Sequence, residues 1–165
     1  MQQDNKTQNQ LKTGTIHEYF DRNILTLTMS NPTKKNAINY EMYAALSQAL
    51  DEASTNQDIH VVVLTGEDSA FTSGNDVNAF EKRDTTSSEP PASIVFLKSL
   101  ATFPKPIIAK VNGVAIGIGS TMLLHCDLVY ASQNSIFQFP FVNLGLVPEA
   151  GSSYILPRLL GFARA

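Results

Sequence analysis

The stretch Pro104–Asp127, PKPIIAKVNGVAIGIGSTMLLHCD, decides the fold of this chain. Prolines precede the β-branched residues Ile107, Ile108 and Val111, which predict a strand. Three glycines follow, and the apolar residues after them continue in a helical pattern. The stretch therefore predicts a strand, a glycine-rich turn and the first turn of a helix.

The glycines of this stretch have two explanations. The first amides of a helix have no acceptor within it, so they can bind an anion or an oxygen that becomes negative during a reaction. Alternatively, Gly113, Gly117 and Gly119 only let a helix pack closely on a sheet. Short glycine patterns do not distinguish these explanations, so both stay open at this point.

Composition narrows the class of protein. A chain of 165 residues is long enough for one domain with a real core. Its net charge of −3 disfavours a nucleic-acid partner, and no window approaches the roughly 20 apolar residues that a membrane helix needs. The single cysteine, Cys126, excludes an internal disulfide and fits a reducing compartment.

The two ends of the chain differ in character. Residues 1–13 are polar and rich in Gln and Asn, so we expect a disordered tail or a tag remnant and not a signal peptide. Residues 14–165 are expected to form one core domain. Because Ala165 falls at the apparent start of another helix, we expect a longer natural protein or neighbours that cover this face.

Local patterns predict an α/β fold with a mostly parallel sheet after an opening hairpin, since strands alternate with helices. Strand 60–65 is a continuous apolar run and is expected to be covered on both faces. Asn39 is the expected cap of the first helix. The predicted elements are strands 16–20, 24–29, 60–65, 107–111, 128–131 and 136–139, helices 40–54, 77–80, 92–103 and 153–160 (the last interrupted by Pro157), and a mobile surface loop 82–91.

Two turns have the same predicted setting. Residues 73–76, SGND, and 117–120, GIGS, each follow a strand or turn and begin a helix. If the turns face each other, the Asn75 and Ile118 amides form a two-donor hole for a carbonyl oxygen. Such a hole stabilises an enolate, and the loss of one donor typically costs about 2.7–4 kcal/mol of barrier.

Three segments in order resemble one known family. AFTSGNDVNAF (70–80), KPIIAKVNGVAIGIGSTMLLHCDLVYAS (105–132) and FQFPFVNLGLVPEAGSSYILPRLLG (137–161) are similar to the crotonase superfamily of acyl-CoA enzymes. The resemblance implies a spiral of ββα units with two near-perpendicular sheets. It also implies an acyl-CoA substrate with no separate cofactor or metal. The resemblance further implies a C-terminal helical segment that normally mediates trimer formation. We expect this segment to be missing after Ala165, and we expect the full-length protein to be a homotrimer or a dimer of trimers.

The resemblance also implies a site. Its oxyanion hole corresponds to the Asn75 and Ile118 amides, and Glu149 corresponds to the family's base. The other implied site residues are substrate-binding Ser73, Gly74, Gly117, Gly119, Phe80, Phe141 and Leu144, and CoA-binding Lys34, Lys35 and Ala37. Phe80 is alternatively a core residue, and the lysines are alternatively solvated surface residues. Asp76 is expected to be a helix-start acid, and His17, His60 and His125 are expected to be structural.

Departures from the family pattern indicate the reaction. Hydratases of the superfamily use two glutamates, and Thr121 and Phe141 occupy those positions here. Neither supplies a carboxylate for water addition. Glu149 is similar to the single base of the peroxisomal-type 3,2-enoyl-CoA isomerases, which moves a proton from C2 to C4 of a 3-enoyl-CoA. Apolar neighbours are expected to raise its pKa: Phe139, Phe141, Leu144 and Leu146.

Alternatives to this interpretation remain. Glu149 is also explained as a helix-start acid favoured by the helix dipole. The same hole suits another crotonase-type reaction, including weak hydratase activity, and a catalytically silent acyl-CoA-binding or scaffold protein would have the same sequence features. A bacterial cytoplasm is the preferred location, and a peroxisome is the alternative.

Overall fold

The computed structural model describes residues 14–77 and 89–165. It has the α/β architecture that the sequence predicts, with two sheets and several helices. The expected tail at 1–13, most of helix 77–80 with Phe80, and most of loop 82–91 lie outside the described residues. The predictions for these segments stay predictions.

The opening hairpin is confirmed. Strands β1 (Thr15–Asp21) and β2 (Ile24–Ser30) pair antiparallel. Between them, Arg22 and Asn23 have φ values of 47° and 65°. Two left-handed residues form the kind of tight turn that suits the right-handed twist of paired strands, so local sequence alone specifies this unit.

Two helices cover one face of the protein. Helix α1 (Tyr40–Thr55) begins after Asn39, whose side chain accepts a 2.9 Å hydrogen bond from the Met42 amide, as the sequence predicts. Its apolar side packs against helix α2 (Ala92–Ala101). The core between the helices and the larger sheet includes Leu27, Met42, Leu46, Leu50, Val62, Leu64, Phe96 and Ile107.

The larger sheet has five strands in the order β1, β2, β3 (Val61–Gly66), β5 (Ile107–Val111) and β7 (Leu128–Ala131). All pairings after the hairpin are parallel, as predicted. The expectation that β3 is covered on both faces is wrong for this chain. Val62 and Leu64 are buried, whereas Val61 and Val63 point to the opposite face and are only half-buried.

The smaller sheet contains three parallel strands, β4 (Ala70–Thr72), β6 (Val114–Ile116) and β8 (Ile136–Gln138). From β3 onward, successive strands along the chain therefore alternate between the larger and the smaller sheet. β6 lies where the sequence predicts only a turn, because three residues are too few to show alternation. Gly113 permits the reversal before it, since a Cβ there would lie 1.9 Å from the Ser69 carbonyl oxygen.

Two further helices follow the smaller sheet's strands. Helix α3 (Ile118–Thr121) continues as a 3-10 helix over Met122–His125, in agreement with the predicted helical continuation. Helix α4 (Ser152–Leu160) runs through Pro157, so the predicted interruption is wrong. Pro157 has no N–H to donate to the carbonyl of Ser153, so the helix loses one hydrogen bond. Ser153 is exposed, and water can bond to its carbonyl instead.

The C-terminal part of the chain carries much exposed surface. Every residue of β7 and β8 is exposed, and so are large apolar side chains before and within α4. Among residues 14–77 and 89–165, no helix combines the length and the apolar character required to cross a bilayer.

Candidate functional site

The structure brings the two glycine-containing turns together. Strands β4 and β6 are parallel neighbours, so the turns that follow them leave the same edge of the sheet. A Cβ at Gly119 would lie 2.6 Å from Thr72 Cγ2, and one at Gly74 would lie 2.8 Å from the Ile116 carbonyl oxygen. Close packing therefore accounts for these two glycines.

The backbone around Asn75 determines the direction of its amide. The Gly74 carbonyl accepts a 2.8 Å hydrogen bond from the Ile38 amide, and the Asp76 amide donates to the Ile38 carbonyl at 2.9 Å. In a trans peptide the N–H points opposite to the preceding carbonyl, so the Asn75 N–H points away from Ile38. It has no acceptor within the part of the chain that the structure describes.

A similar arrangement directs the Ile118 amide. The Gly117 carbonyl accepts hydrogen bonds from the Ser120 and Thr121 amides, each at 2.9 Å, so the Ile118 N–H points out of the helix start. No acceptor for it is found in residues 14–77 or 89–165. Gly117 has φ 57°, and no atom lies within 4 Å of an added Cβ. Glycine is therefore favoured at this position by the left-handed backbone and not by close packing.

Tyr43 connects this turn with Glu149. Its hydroxyl donates a hydrogen bond to the Asn75 side-chain oxygen. Burial and, second, the nearby charge of Glu149 raise the pKa of Tyr43 well above its usual value. The second effect requires the Glu149 carboxylate to lie close to Tyr43, and therefore near the turn that carries Asn75.

Glu149 is partly buried and lies before the first turn of the helix that follows it. Its side chain is half-buried, and burial raises the pKa of its carboxyl group. Helix α4 begins only at Ser152, with Gly151 as its cap, so Glu149 lies outside the first turn. Because the effect of the helix dipole falls off within that turn, the dipole explanation does not fit.

The apolar neighbours expected around Glu149 differ in burial. Phe141 is buried, and its ring meets that of Phe139 edge-on at 6.4 Å. Leu144 and Leu146 are 60% and 58% exposed. The 3-10 helix Val142–Leu144 and the left-handed Gly145 turn this segment outward, so the two leucines give the carboxylate little shielding within this chain.

The predicted CoA-binding residues lie on a loop that is bonded to the Asn75 turn. Lys34 Nζ lies 2.6 Å from a carboxylate oxygen of buried Asp76. Ser73 joins the same loop through its amide, 2.9 Å from the Lys35 carbonyl, and its hydroxyl, 2.7 Å from the Lys34 carbonyl. Asp76, expected to be a helix-start acid, thus forms an ion pair with Lys34.

The other two predicted CoA-binding residues differ in exposure. Lys35 is exposed and has a left-handed backbone with φ 50°. Ala37 is buried, and its carbonyl accepts a 2.9 Å hydrogen bond from Asn31 Nδ2. Of the two, only Lys35 therefore presents a charged group to solvent.

Sequence reasoning missed Tyr43 and understated His125. Tyr43 falls among the apolar residues that recur at helical spacing in α1, and the sequence signal for a further role is that a buried hydroxyl needs a hydrogen-bond partner. His125 Nε2 lies 2.8 Å from the Ala150 carbonyl oxygen, beside Glu149. His17 and His60 are exposed. The described residues contain no cluster of three or more His, Cys, Asp or Glu side chains suited to a metal ion.

Comparisons with known proteins agree with the fold and the motifs. Residues 19–165 match the family model described as enoyl-CoA hydratase/isomerase. The peroxisomal enoyl-CoA delta isomerase 3 of Mus musculus is 38% identical, over 86% of this chain and 46% of the relative. The 2,3-dehydroadipyl-CoA hydratase of Escherichia coli K12 is 36% identical, over 84% of this chain and 54% of the relative.

A solved structure supports the same assignment. The enoyl-CoA hydratase/isomerase of Pseudoalteromonas atlantica T6c superposes with a TM-score of 0.86 at 43% identity, covering 91% of this chain and 59% of that one. The chain spans about half the length of the curated relatives it matches. By its family match and by its fold, this chain belongs to the enoyl-CoA hydratase/isomerase family of the crotonase superfamily.

Proposed function

We propose that the protein shifts the double bond of a 3-enoyl-CoA to the trans-2 position, a reaction of fatty acid β-oxidation. Its family uses CoA thioester substrates and needs no separate cofactor. The observation that carries the proposal is the proximity of Glu149, a half-buried carboxylate of raised pKa, to the Tyr43–Asn75 pair. That pair adjoins the two outward-pointing amides.

In the proposed reaction, the thioester oxygen accepts hydrogen bonds from the Asn75 and Ile118 amides. Glu149 removes a proton from C2, and the resulting dienolate places its negative charge on that oxygen. The protonated Glu149 then returns the proton at C4. The net proton count is unchanged and no water is added, so one carboxylate completes the reaction. A raised pKa makes Glu149 a stronger base near neutral pH.

The residues at the hydratase positions support an isomerase. Thr121 is fully buried and its hydroxyl is within 3.5 Å of the Ile118 carbonyl, whereas Phe141 is a buried aromatic. Neither side chain can exchange a proton with water as a carboxylate does. Neither of the two hydratase positions therefore supplies the acid and base that addition of water across a double bond needs.

A hydratase-type reaction is the second candidate, because one relative is named as a 2,3-dehydroadipyl-CoA hydratase. A silent acyl-CoA-binding protein is the third, because every residue of β7 and β8 is exposed. The trimeric assembly and the preferred bacterial cytoplasmic location stay predictions, with a peroxisome as the alternative location.

The test is a panel of acyl-CoA thioesters offered to the purified protein. We expect 3-enoyl-CoA to be converted to trans-2-enoyl-CoA, and 2-enoyl-CoA to be hydrated far more slowly. Faster hydration than isomerisation would assign the protein to the second candidate. Acyl-CoA binding, measured by calorimetry, without turnover of any thioester would assign it to the third.

A further inference from the structure

Tyr43 is held rigidly by the packing of two helices. It lies in the second turn of α1, following the Asn39 cap, and only 4% of it is exposed. Its ring meets that of Phe96 on α2 at a centroid distance of 5.6 Å. A phenylalanine would fill the same space, so packing does not explain the hydroxyl group.

The hydroxyl group is directed at the proposed site. It donates to Oδ1 of Asn75, whose bridge to Ile38 directs the Asn75 backbone N–H away from Ile38. Because burial and the charge of Glu149 raise the pKa of Tyr43, the phenol stays protonated near neutral pH. Tyr43 is therefore a permanent donor and is unsuited to carry a proton during the reaction.

This hydrogen bond limits what the Asn75 side chain can do. A carboxamide has an acceptor oxygen at one end and an NH₂ donor group at the other, and the oxygen is the end that accepts from Tyr43. The side chain of half-buried Asn75 is thus held in one orientation, and its NH₂ group has no acceptor among residues 14–77 and 89–165.

On the basis of the proposed function, we propose that Tyr43 is a positioning residue that holds the Asn75 carboxamide in one orientation. The substrate thioester then meets a donor that is already oriented. A donor that does not reorganise during the reaction stabilises the transition state most effectively. Tyr43 itself touches neither the substrate nor the transferred proton.

The first test compares Tyr43→Phe with Tyr40→Phe, an exposed tyrosine of the same helix. We expect Tyr43→Phe to lower kcat for 3-enoyl-CoA by about 10- to 100-fold, because small misplacements cost this much, with KM changed less than about twofold. Tyr40→Phe should leave both constants unchanged. An unchanged kcat in Tyr43→Phe would overturn the proposal.

A double-mutant cycle isolates the pair. If Tyr43 acts through the Asn75 side chain, Tyr43→Phe should have no further effect on kcat in an Asn75→Ala background. A fall as large as in the wild-type background would mean that Tyr43 acts by another route, and would overturn the proposal.

A spectroscopic test does not depend on turnover. In ¹⁵N-labelled protein, we expect the Asn75 side-chain NH₂ resonances to shift towards those of a freely rotating amide in Tyr43→Phe and to be unchanged in Tyr40→Phe. Unchanged resonances in Tyr43→Phe would overturn the positioning role. Shifted resonances in a protein that does not convert 3-enoyl-CoA would retain the positioning role and reject the proposed function.

Discussion

The imidazole Nε2 of His125 lies 2.8 Å from the carbonyl oxygen of Ala150. His125 ends the helical segment that starts at Ile118, and Ala150 directly follows Glu149. Ala150 has φ 53°, a left-handed conformation that costs an alanine about 1–2 kcal/mol. The contact therefore joins the segment with one proposed donor to the turn with the proposed base, and helps hold that turn in a strained conformation.

Removal of this contact should affect catalysis more than substrate binding. We expect His125→Leu to lower kcat for 3-enoyl-CoA isomerisation about 10-fold with little change in KM, because Glu149 loses its fixed position. His125→Gln keeps an N–H donor of similar reach and should retain most of the activity. Steady-state kinetics of both variants check this, and equal activity of the two would contradict it.

The close approach of the two turns predicts the effect of a single methyl group. Gly119→Ala places a Cβ 2.6 Å from Thr72 Cγ2 and 3.0 Å from the Thr72 carbonyl oxygen. We expect a loss of about 1–3 kcal/mol in the free energy of unfolding, as is typical of overpacking, together with reduced activity. Denaturant unfolding measures the first effect.

The variant Thr72→Ser tests whether the contact with Thr72 Cγ2 causes the loss of stability in Gly119→Ala. Serine lacks Cγ2 but keeps the hydroxyl that donates to the Asn36 carbonyl at 2.6 Å and accepts from the Gly74 amide at 3.0 Å. In the Gly119→Ala background it should restore part of the lost stability, because only the methyl contact is relieved. No recovery would mean that the clash with the backbone carbonyl dominates.

The sequence assigns CoA binding to both Lys34 and Lys35, but the ion pair with Asp76 gives Lys34 a structural role as well. Lys34→Met removes the ammonium beside Asp76 and should lower the free energy of unfolding by up to about 1 kcal/mol, because the lysine of this ion pair is itself partly exposed. Lys35→Met should leave stability unchanged and weaken CoA binding, because the exposed Lys35 is the better placed to meet phosphate. Denaturant unfolding and CoA titration of both variants check this; stability lost only in Lys35→Met would contradict it.

The raised pKa of Glu149 has a consequence for stability. A carboxyl whose pKa is higher in the folded state favours folding in its neutral form, so its contribution is present at low pH and is lost as pH rises through the folded pKa. We expect Glu149→Gln to be more stable than the wild type at neutral pH, by an amount that stays small because solvent screens a half-buried carboxyl. The difference should vanish below about pH 4. Thermal unfolding across pH measures it, and a variant less stable at neutral pH would contradict the raised pKa.

The sequence was sufficient to predict the elements whose structure depends only on adjacent residues. The Asn39 cap and the opening hairpin follow from a few adjacent residues, and both are found where the sequence predicts them. Strand β6 was missed because its three residues are recognisable only through their pairing with β4 and β8.

Contacts within the candidate site are mostly long-range, and single residues do not reveal them. Lys34 and Asp76 are 42 residues apart, Tyr43 and Asn75 are 32 apart, and His125 and Ala150 are 25 apart. Each partner has an ordinary local explanation, as a surface lysine, a core tyrosine or a structural histidine. The bridge between Ile38 and Asn75 brings the loop of Lys34 and the start of α1 to the Asn75 turn, and His125 meets Ala150 only after the chain has passed through β7 and β8.

The most direct test of the account is the rate at which Glu149→Gln converts 3-enoyl-CoA to trans-2-enoyl-CoA, with Glu18→Gln on exposed β1 as the matched control. Glutamine has the same shape but cannot accept the C2 proton. We therefore predict a fall in kcat of at least about 100-fold, the lower end of what a positioned base supplies, with acyl-CoA binding retained and Glu18→Gln fully active. A Glu149→Gln variant that isomerises the substrate at the wild-type rate would contradict the account.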